Sequence, residues 1–486
     1  MSTAATGLRA GCAGVLALDA RLEPWQRRVC LQPEVMREWL AVHGSPLNIL
    51  DTSPMARNAG ELRSAAATAG LDLAIYFARK ANKALCLVDE ARRLGLGVDL
   101  ASERELAQVL QRGVPGSAIV MTAAVKPTAL LALCISSGTT IVVDNADELA
   151  LLSDLTADAG TVPSIALRLA PDLGDGRPLT RFGLGLREAI ALVDDHWREG
   201  AAQPRPRIDG VHFHLDGYDA ADRVTALTQA LELVDALRHR GHHPSFVDIG
   251  GGIPISYLES AAQWEHFWSA HRAGLLGRRA PLTFEGHGLG LVAHGGEILG
   301  RPAVYPFHQR LTRGGWLTDV LAGRVDGGAD GRSVAEALRD RGLQLRCEPG
   351  RALLDGCGLT AARVVHRKQR RDGTWLIGVE MNRTQCRSTS EDYLVDPLLI
   401  DVGAGERTGA IEGYLVGAYC IERELLTWRR MRFANGVGVG DIVVFPNTAG
   451  YLMHILESSS HQIPLARNVV VGAGGEALLD PIDTHG

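Results

Sequence analysis

Ile75-Tyr76-Phe77-Ala78-Arg79-Lys80-Ala81-Asn82-Lys83 is the stretch that decides the fold. An apolar run, Leu71 to Ala78, ends in basic residues, and a helical pattern, Ala84 to Leu94, follows at once. A strand feeding a helix, with a reactive group at the junction, is how α/β folds build active sites. Lysine at that junction can form a Schiff base with a carbonyl compound. Read alone, Lys80 also fits a solvated strand end.

Working outward, the same alternation repeats. Short apolar runs fall near Leu73–Ala78, Gly97–Leu100, Ala118–Thr122, Thr140–Val143, Ile165–Leu169, Gly210–His214, Phe246–Ile249 and Leu343–Cys347. Helical patterns such as Ser102–Leu110 and Arg223–Leu237 lie between them, the first opened by a capping box of Ser102 and Glu105. Eight strands with intervening helices predict a TIM-type (β/α)8 barrel. An open doubly wound sheet is the fallback, but no G-x-G-x-x-G follows an early strand. After Glu348 the texture changes to alternating runs, Thr374–Glu380, Gly413–Cys420 and Gly440–Phe445, which predict a mostly β domain.

Ninety-five residues separate Gly252 from Glu348, and they predict an insertion over about 265–335. Phe284 to Gly290 reads as its structured part and the Gly/Asp-rich Val325–Arg332 as a flexible loop. His287, His294 and His308 read as scattered surface or core histidines.

The chain of 486 residues is long enough for two domains. Its net charge of -6 is spread out, with no basic run suited to nucleic acid. Eight cysteines show no C-x-x-C pairing, so neither zinc nor redox spacing is present. They read as free thiols of a reducing cytoplasm. No segment reads as a signal peptide, and the long uncharged run Pro127–Val143 is broken by Ser136-Ser137-Gly138-Thr139, so no membrane span is expected.

Three further stretches carry chemistry. Asp248-Ile249-Gly250-Gly251-Gly252 follows the seventh strand, and its glycines let backbone N–H groups approach a phosphate. Glu348-Pro349-Gly350-Arg351 closes the eighth strand, and Val211-His212-Phe213-His214 closes the sixth. Strand alternation puts His212 and His214 on one face, where His212 reads best as a buried, hydrogen-bonded histidine.

With Tyr76-Phe77-Ala78-Arg79-Lys80-Ala81-Asn82, these boxes resemble, in the same order, the fold-type III pyridoxal-phosphate decarboxylases. That group includes the diaminopimelate, ornithine and arginine decarboxylases and shares the alanine racemase-like barrel. The resemblance implies pyridoxal 5'-phosphate as cofactor, bound to Lys80. It implies a phosphate held by Gly250, Gly251, Gly252, Arg351 and Tyr451, and a ring stacked on His214. Asp99 and Arg168 fall where the family places polar groups at the barrel end. Glu348 would meet the pyridine nitrogen and keep it protonated, so that the ring accepts the electrons released with CO2. A racemase of this fold, the first alternative, would carry arginine there; a non-catalytic cofactor-binding homologue is the second. Leu215-Asp216-Gly217 lacks the family's phosphate-binding serine.

Gly417-Ala418-Tyr419-Cys420 resembles the segment whose cysteine reaches the partner's site and helps protonate the carbanion, which implies a homodimer with shared sites. Lys80, Glu348, His214 and Cys420 are therefore the expected catalytic residues, with no metal. An amino acid is the expected substrate. Polyamine-forming relatives place an acidic residue after that cysteine, whereas here it is Ile421, then Glu422. Arg387 suits a distal carboxylate, and Arg387 and Glu422 are the substrate candidates. The insertion and Ile421 point toward siderophore or secondary metabolism. By the same analogy the barrel spans 46–352, and residues 1–45 join 353–486 in the β-rich domain.

Overall fold

The computed structural model describes residues 7–9, 11–174, 176–177, 179–198, 204–325, 331–388, 393–403 and 405–484. Eight parallel strands close a barrel: β1 (Leu73–Ala78), β2 (Gly97–Leu100), β3 (Ile119–Met121), β4 (Thr140–Val143), β5 (Ser164–Arg168), β6 (Arg207–His212), β7 (Phe246–Asp248) and β8 (Gln344–Cys347). β8 pairs with both β7 and β1, which completes the ring. Each expected strand coincides with one of these.

Inside the barrel, Tyr76, Val120, Val142, Ala166 and Phe246 form a small core of their own. Gly97 and Gly210 sit where a Cβ would strike the Tyr76 and Phe246 rings at 2.3 Å. Outside, helices cover the strands. In the Pro54–Thr68 helix, Met55, Ala59, Leu62 and Ala66 recur at helical spacing and are buried. Ser102 caps the next-but-one helix as expected, accepting from Glu105 N–H at 3.2 Å; Glu105 reaches back past it to Ala101 N–H at 2.7 Å.

The second domain is a ten-stranded sheet built on the long strand Gly358–Gln369. Ala13–Gly14 pairs with Met431–Phe433, which ties the N-terminal segment into this domain. One expectation is corrected here. Leu47–Leu50, placed at the start of the barrel, instead pairs antiparallel with Gly358–Gln369 and parallel with Arg467–Val471. All four of its residues are buried, so a continuous apolar strand belongs in the middle of this sheet. The barrel begins with the helix at Pro54.

Within residues 265–335 the segments pack differently. The Arg313–Ala322 helix packs on Pro54–Thr68 and on Ala220–His239, and so fills the ring between β7 and β8. Ahead of it come the Ala261–Leu275 helix and the hairpin of Leu291–His294 with Glu297–Gly300. A strap, residues 301–307, returns from that hairpin across the barrel mouth. Residues 326–330 of the expected flexible loop lie outside the described residues.

Candidate active site

The pleat explains the site. Residues two apart on a strand share a face, so the barrel's inner layer continues into polar groups at its C-terminal end. Gly97 leads to Asp99, Val120 to Thr122, Val142 to Asp144, Ala166 to Arg168, Gly210 to His212, Phe246 to Asp248, and Arg346 to Glu348. Tyr76 and Ala78 lead to Lys80, which sits in a one-turn helix, Arg79–Ala81.

Lys80 Nζ lies 2.7 Å from Asp99 Oδ2, and Thr122 donates to the other oxygen of Asp99. Burial pulls the ammonium pKa down, but Asp99, Glu348 and Tyr451 outweigh it, and the pKa is raised. The amine is therefore held charged until something displaces its partner. Arg168 pairs with Asp144 at 3.1 Å, which also accepts from Gly183 N–H at 3.2 Å, and its guanidinium stacks 4.2 Å over Phe182.

Glu348 is buried and faces His212 Nε2 at 3.3 Å. Glu348 Oε1 has no hydrogen bond among the described residues. Burial, then Asp99, push its pKa up. His212 is pushed down to about 3 by burial, and Asp248 up to about 7 by burial and Glu348. His212, Asp248 and Glu348 lie close enough together to suit a metal ion.

His214 Nδ1 accepts from Gly251 N–H at 3.1 Å, so the imidazole is fixed against the glycine turn. A Cβ on Gly251 would meet Glu348 O at 2.9 Å, and Gly250 and Gly252 have positive φ, so the turn admits little else. Arg351 donates to Tyr257 Oη at 2.7 Å, Gly450 O at 3.3 Å and Ser388 Oγ at 3.2 Å. Its guanidinium lies 4.1 Å from the Tyr305 ring and 5.1 Å from the Tyr451 ring. Tyr451 N–H donates to Ala81 O at 2.7 Å, beside Lys80.

A cavity of about 760 Å³ opens over this floor, lined by His214, Gly252, Arg351 and Tyr451. Its far wall is the strap, with Arg301 and Tyr305. The residues fit pyridoxal phosphate. A lysine and a buried carboxylate stand at the barrel end, and a side-chain-free turn and an arginine flank the cavity.

Of the residues expected from sequence, Lys80, Asp99, Arg168, His214, Gly250, Gly251, Gly252, Glu348, Arg351 and Tyr451 converge here. Three stand elsewhere in the single chain. Cys420 and Glu422 are exposed, and Arg387 is buried, donating to Leu425 O. Sequence reading missed Thr122 and Asp144, which the period of two would have found. It also missed Tyr257, Tyr305 and Arg301, which no local pattern marks.

Residues 58–286 match the family described as "Pyridoxal-dependent decarboxylase, pyridoxal binding domain". The chain is 33% identical over 455 residues to an uncharacterized protein, y4yA, of Sinorhizobium fredii, across 92% of this chain and 93% of that one. It is 24% identical over 288 residues to a diaminopimelate decarboxylase of Zymomonas mobilis, across 56% of this chain and 67% of that one. A diaminopimelate decarboxylase from M. jannaschii superposes with a TM-score of 0.68 at 18% identity, over 91% of this chain and 90% of the other. A lysine/ornithine decarboxylase of Vibrio vulnificus, complexed with putrescine, gives 0.64 at 17% identity, over 93% and 99%. At these identities the two structures establish the fold.

Proposed function

The chain belongs to the pyridoxal-dependent decarboxylase family, and from that premise we propose that it removes the α-carboxylate of an amino acid bearing a distal carboxylate or acyl group. One observation carries the decarboxylase reading: the buried carboxylate of Glu348, backed by His212 at 3.3 Å, at the barrel end beside Lys80 and Asp99. When bound, pyridoxal phosphate supplies an electron-withdrawing ring that accepts the electron pair left by departing CO2. Glu348 would hold a proton at the ring nitrogen, which an arginine at this position would oppose. Asp99 holds and orients the Lys80 amine. His214, locked by Gly251 N–H, would form the floor under the ring. Arg351 and the glycine turn would bind the phosphate. Cys420 would return a proton to the product from the partner subunit's side of a homodimer, since in one chain it is exposed and lines no part of the cavity.

Two features support the substrate class. Arg301 lines the cavity and has no ion pair among the described residues. Ile421, 45% exposed next to Cys420, offers nothing to a distal ammonium. Arg387, though its Nη2 donates to Leu425 O, adjoins Ser388 in the cavity wall and stays a candidate for the same role. Glu422 lies on the surface beside Cys420.

The test is a panel of lysine, ornithine, diaminopimelate and acyl-diamino acids, assayed for CO2 and for loss of chirality. CO2 from the carboxylate-bearing or acylated members is the expected result. Racemisation without CO2 would overturn the decarboxylase reading, and efficient use of free lysine or ornithine would overturn the substrate class alone.

A further inference from the structure

Arg223, on the Ala220–His239 helix, is completely buried. No carboxylate lies within ion-pair distance of it among the described residues. Its guanidinium sits between the Phe213 and Trp316 rings, 5.9 and 5.5 Å from their centres. A cation buried without a counter-ion is costly, and such groups persist where their charge is used.

What Arg223 holds indicates the use. Nη1 donates to Ile249 O at 2.8 Å, and Nη2 to Gly217 O at 3.3 Å and Gly252 O at 3.5 Å. These carbonyls belong to two separate turns, one after β6 and one after β7. In a trans peptide the N–H points opposite to the C=O. Turning Gly217 O and Gly252 O toward Arg223 therefore turns the N–H groups of Tyr218 and Ile253 away from it. Tyr218 and Ile253 both line the cavity. Neither N–H has a hydrogen-bond partner among the described residues. Two unsatisfied amides from adjoining turns, with a buried positive charge behind them, make an anion-binding nest. Gly217 has no side chain of its own to add, and a Cβ on Gly252 would meet Arg223 Nη2 at 2.6 Å.

Resting on the cofactor reading above, we infer that Arg223 is a positioning residue for the cofactor's phosphate. It clamps both turns so that their amides face the phosphate, and it balances the phosphate charge without touching it.

The test compares pyridoxal 5'-phosphate with pyridoxal, which lacks the phosphate, titrated into cofactor-free protein. Arg223→Met should weaken pyridoxal phosphate at least about tenfold, because the charged hydrogen bonds that hold the two turns, and the charge behind their amides, are both lost. Pyridoxal should be unchanged within about twofold. Arg223→Lys keeps the charge but cannot bridge both turns; it should weaken pyridoxal phosphate by at least about threefold, again sparing pyridoxal, and it serves alone if the Met variant does not fold. Affinities for both compounds falling together, or an unchanged ratio between them, would mean a purely structural clamp and overturn the inference. A wild-type protein that binds neither compound would overturn the cofactor reading itself.

Discussion

In the function proposed above, Glu348 is the side chain that separates decarboxylase from racemase chemistry. On the proposed function, Glu348→Gln would remove the carboxylate that holds a charged ring nitrogen while keeping the shape. The variant should still retain cofactor and lose roughly a hundredfold in kcat, as when a preorganised electrostatic contact is removed. Cofactor content and CO2 release, measured on the same preparation, check this; full turnover with cofactor bound would sink it. At the cavity's other wall, Arg301→Ala should raise KM for a distal-carboxylate substrate by about tenfold and leave kcat nearly unchanged, because a bidentate pair that is equally strong throughout the reaction affects binding only. An unaltered KM would move carboxylate recognition to another residue, Arg387 among them. The residues legible in sequence were those inside boxes that resemble the family, most of them at strand ends; Thr122 and Asp144 stand at strand ends too but lie in no such box. Arg301 was not legible because a hairpin, not a strand end, delivers it. Arg223 opens the helical pattern Arg223–Leu237 and lies in none of the boxes that carry the resemblance.

Strands announced themselves as elements wherever apolar runs were short and bounded, and all eight barrel strands could be read that way. Leu47–Leu50 had the same texture, so sequence could not say which sheet would receive it; its partners lie more than three hundred residues away. The junction between barrel and sheet also carries a pH-sensitive element. His454 accepts from Lys83 N–H at 3.3 Å through Nδ1 and meets Asn468 Oδ1 at 2.9 Å through Nε2. Burial, then Lys83, push its pKa down to about 3, against about 6.5 for a free imidazole. Between those values the unfolded chain binds a proton that the folded chain refuses. Stability is therefore complete above about pH 6.5 and falls as pH drops toward 3, by up to about 1.4 kcal/mol per pH unit from this residue. Urea unfolding of wild type and His454→Gln at pH 7 and pH 4.5 should show a smaller loss in the variant. Equal losses would exclude His454 as a source. His212 is shifted the same way, but Asp248 and Glu348 beside it are shifted up and act in the opposite sense.

For the whole molecule, the expected homodimer has a direct test. Lys80→Ala and Cys420→Ala should each be nearly inactive alone. If every site combines Lys80 of one subunit with the cysteine of the other, exchange between the two variants leaves one intact site in each mixed dimer. Activity should return to about a quarter of the wild-type level after random 1:1 exchange. No recovery, with mixed dimers present, would place both residues in one chain. The central strand Leu47–Leu50 has a consequence for how the molecule is made. It is translated early, yet one of its neighbours, Arg467–Val471, is translated almost last. At roughly 5–20 residues per second the wait is roughly 20–80 s. Throughout that time the nascent chain can complete its barrel but must carry an apolar, unpaired strand edge. Stalled or truncated translation before residue 467 should therefore yield a chain that aggregates with its barrel already formed.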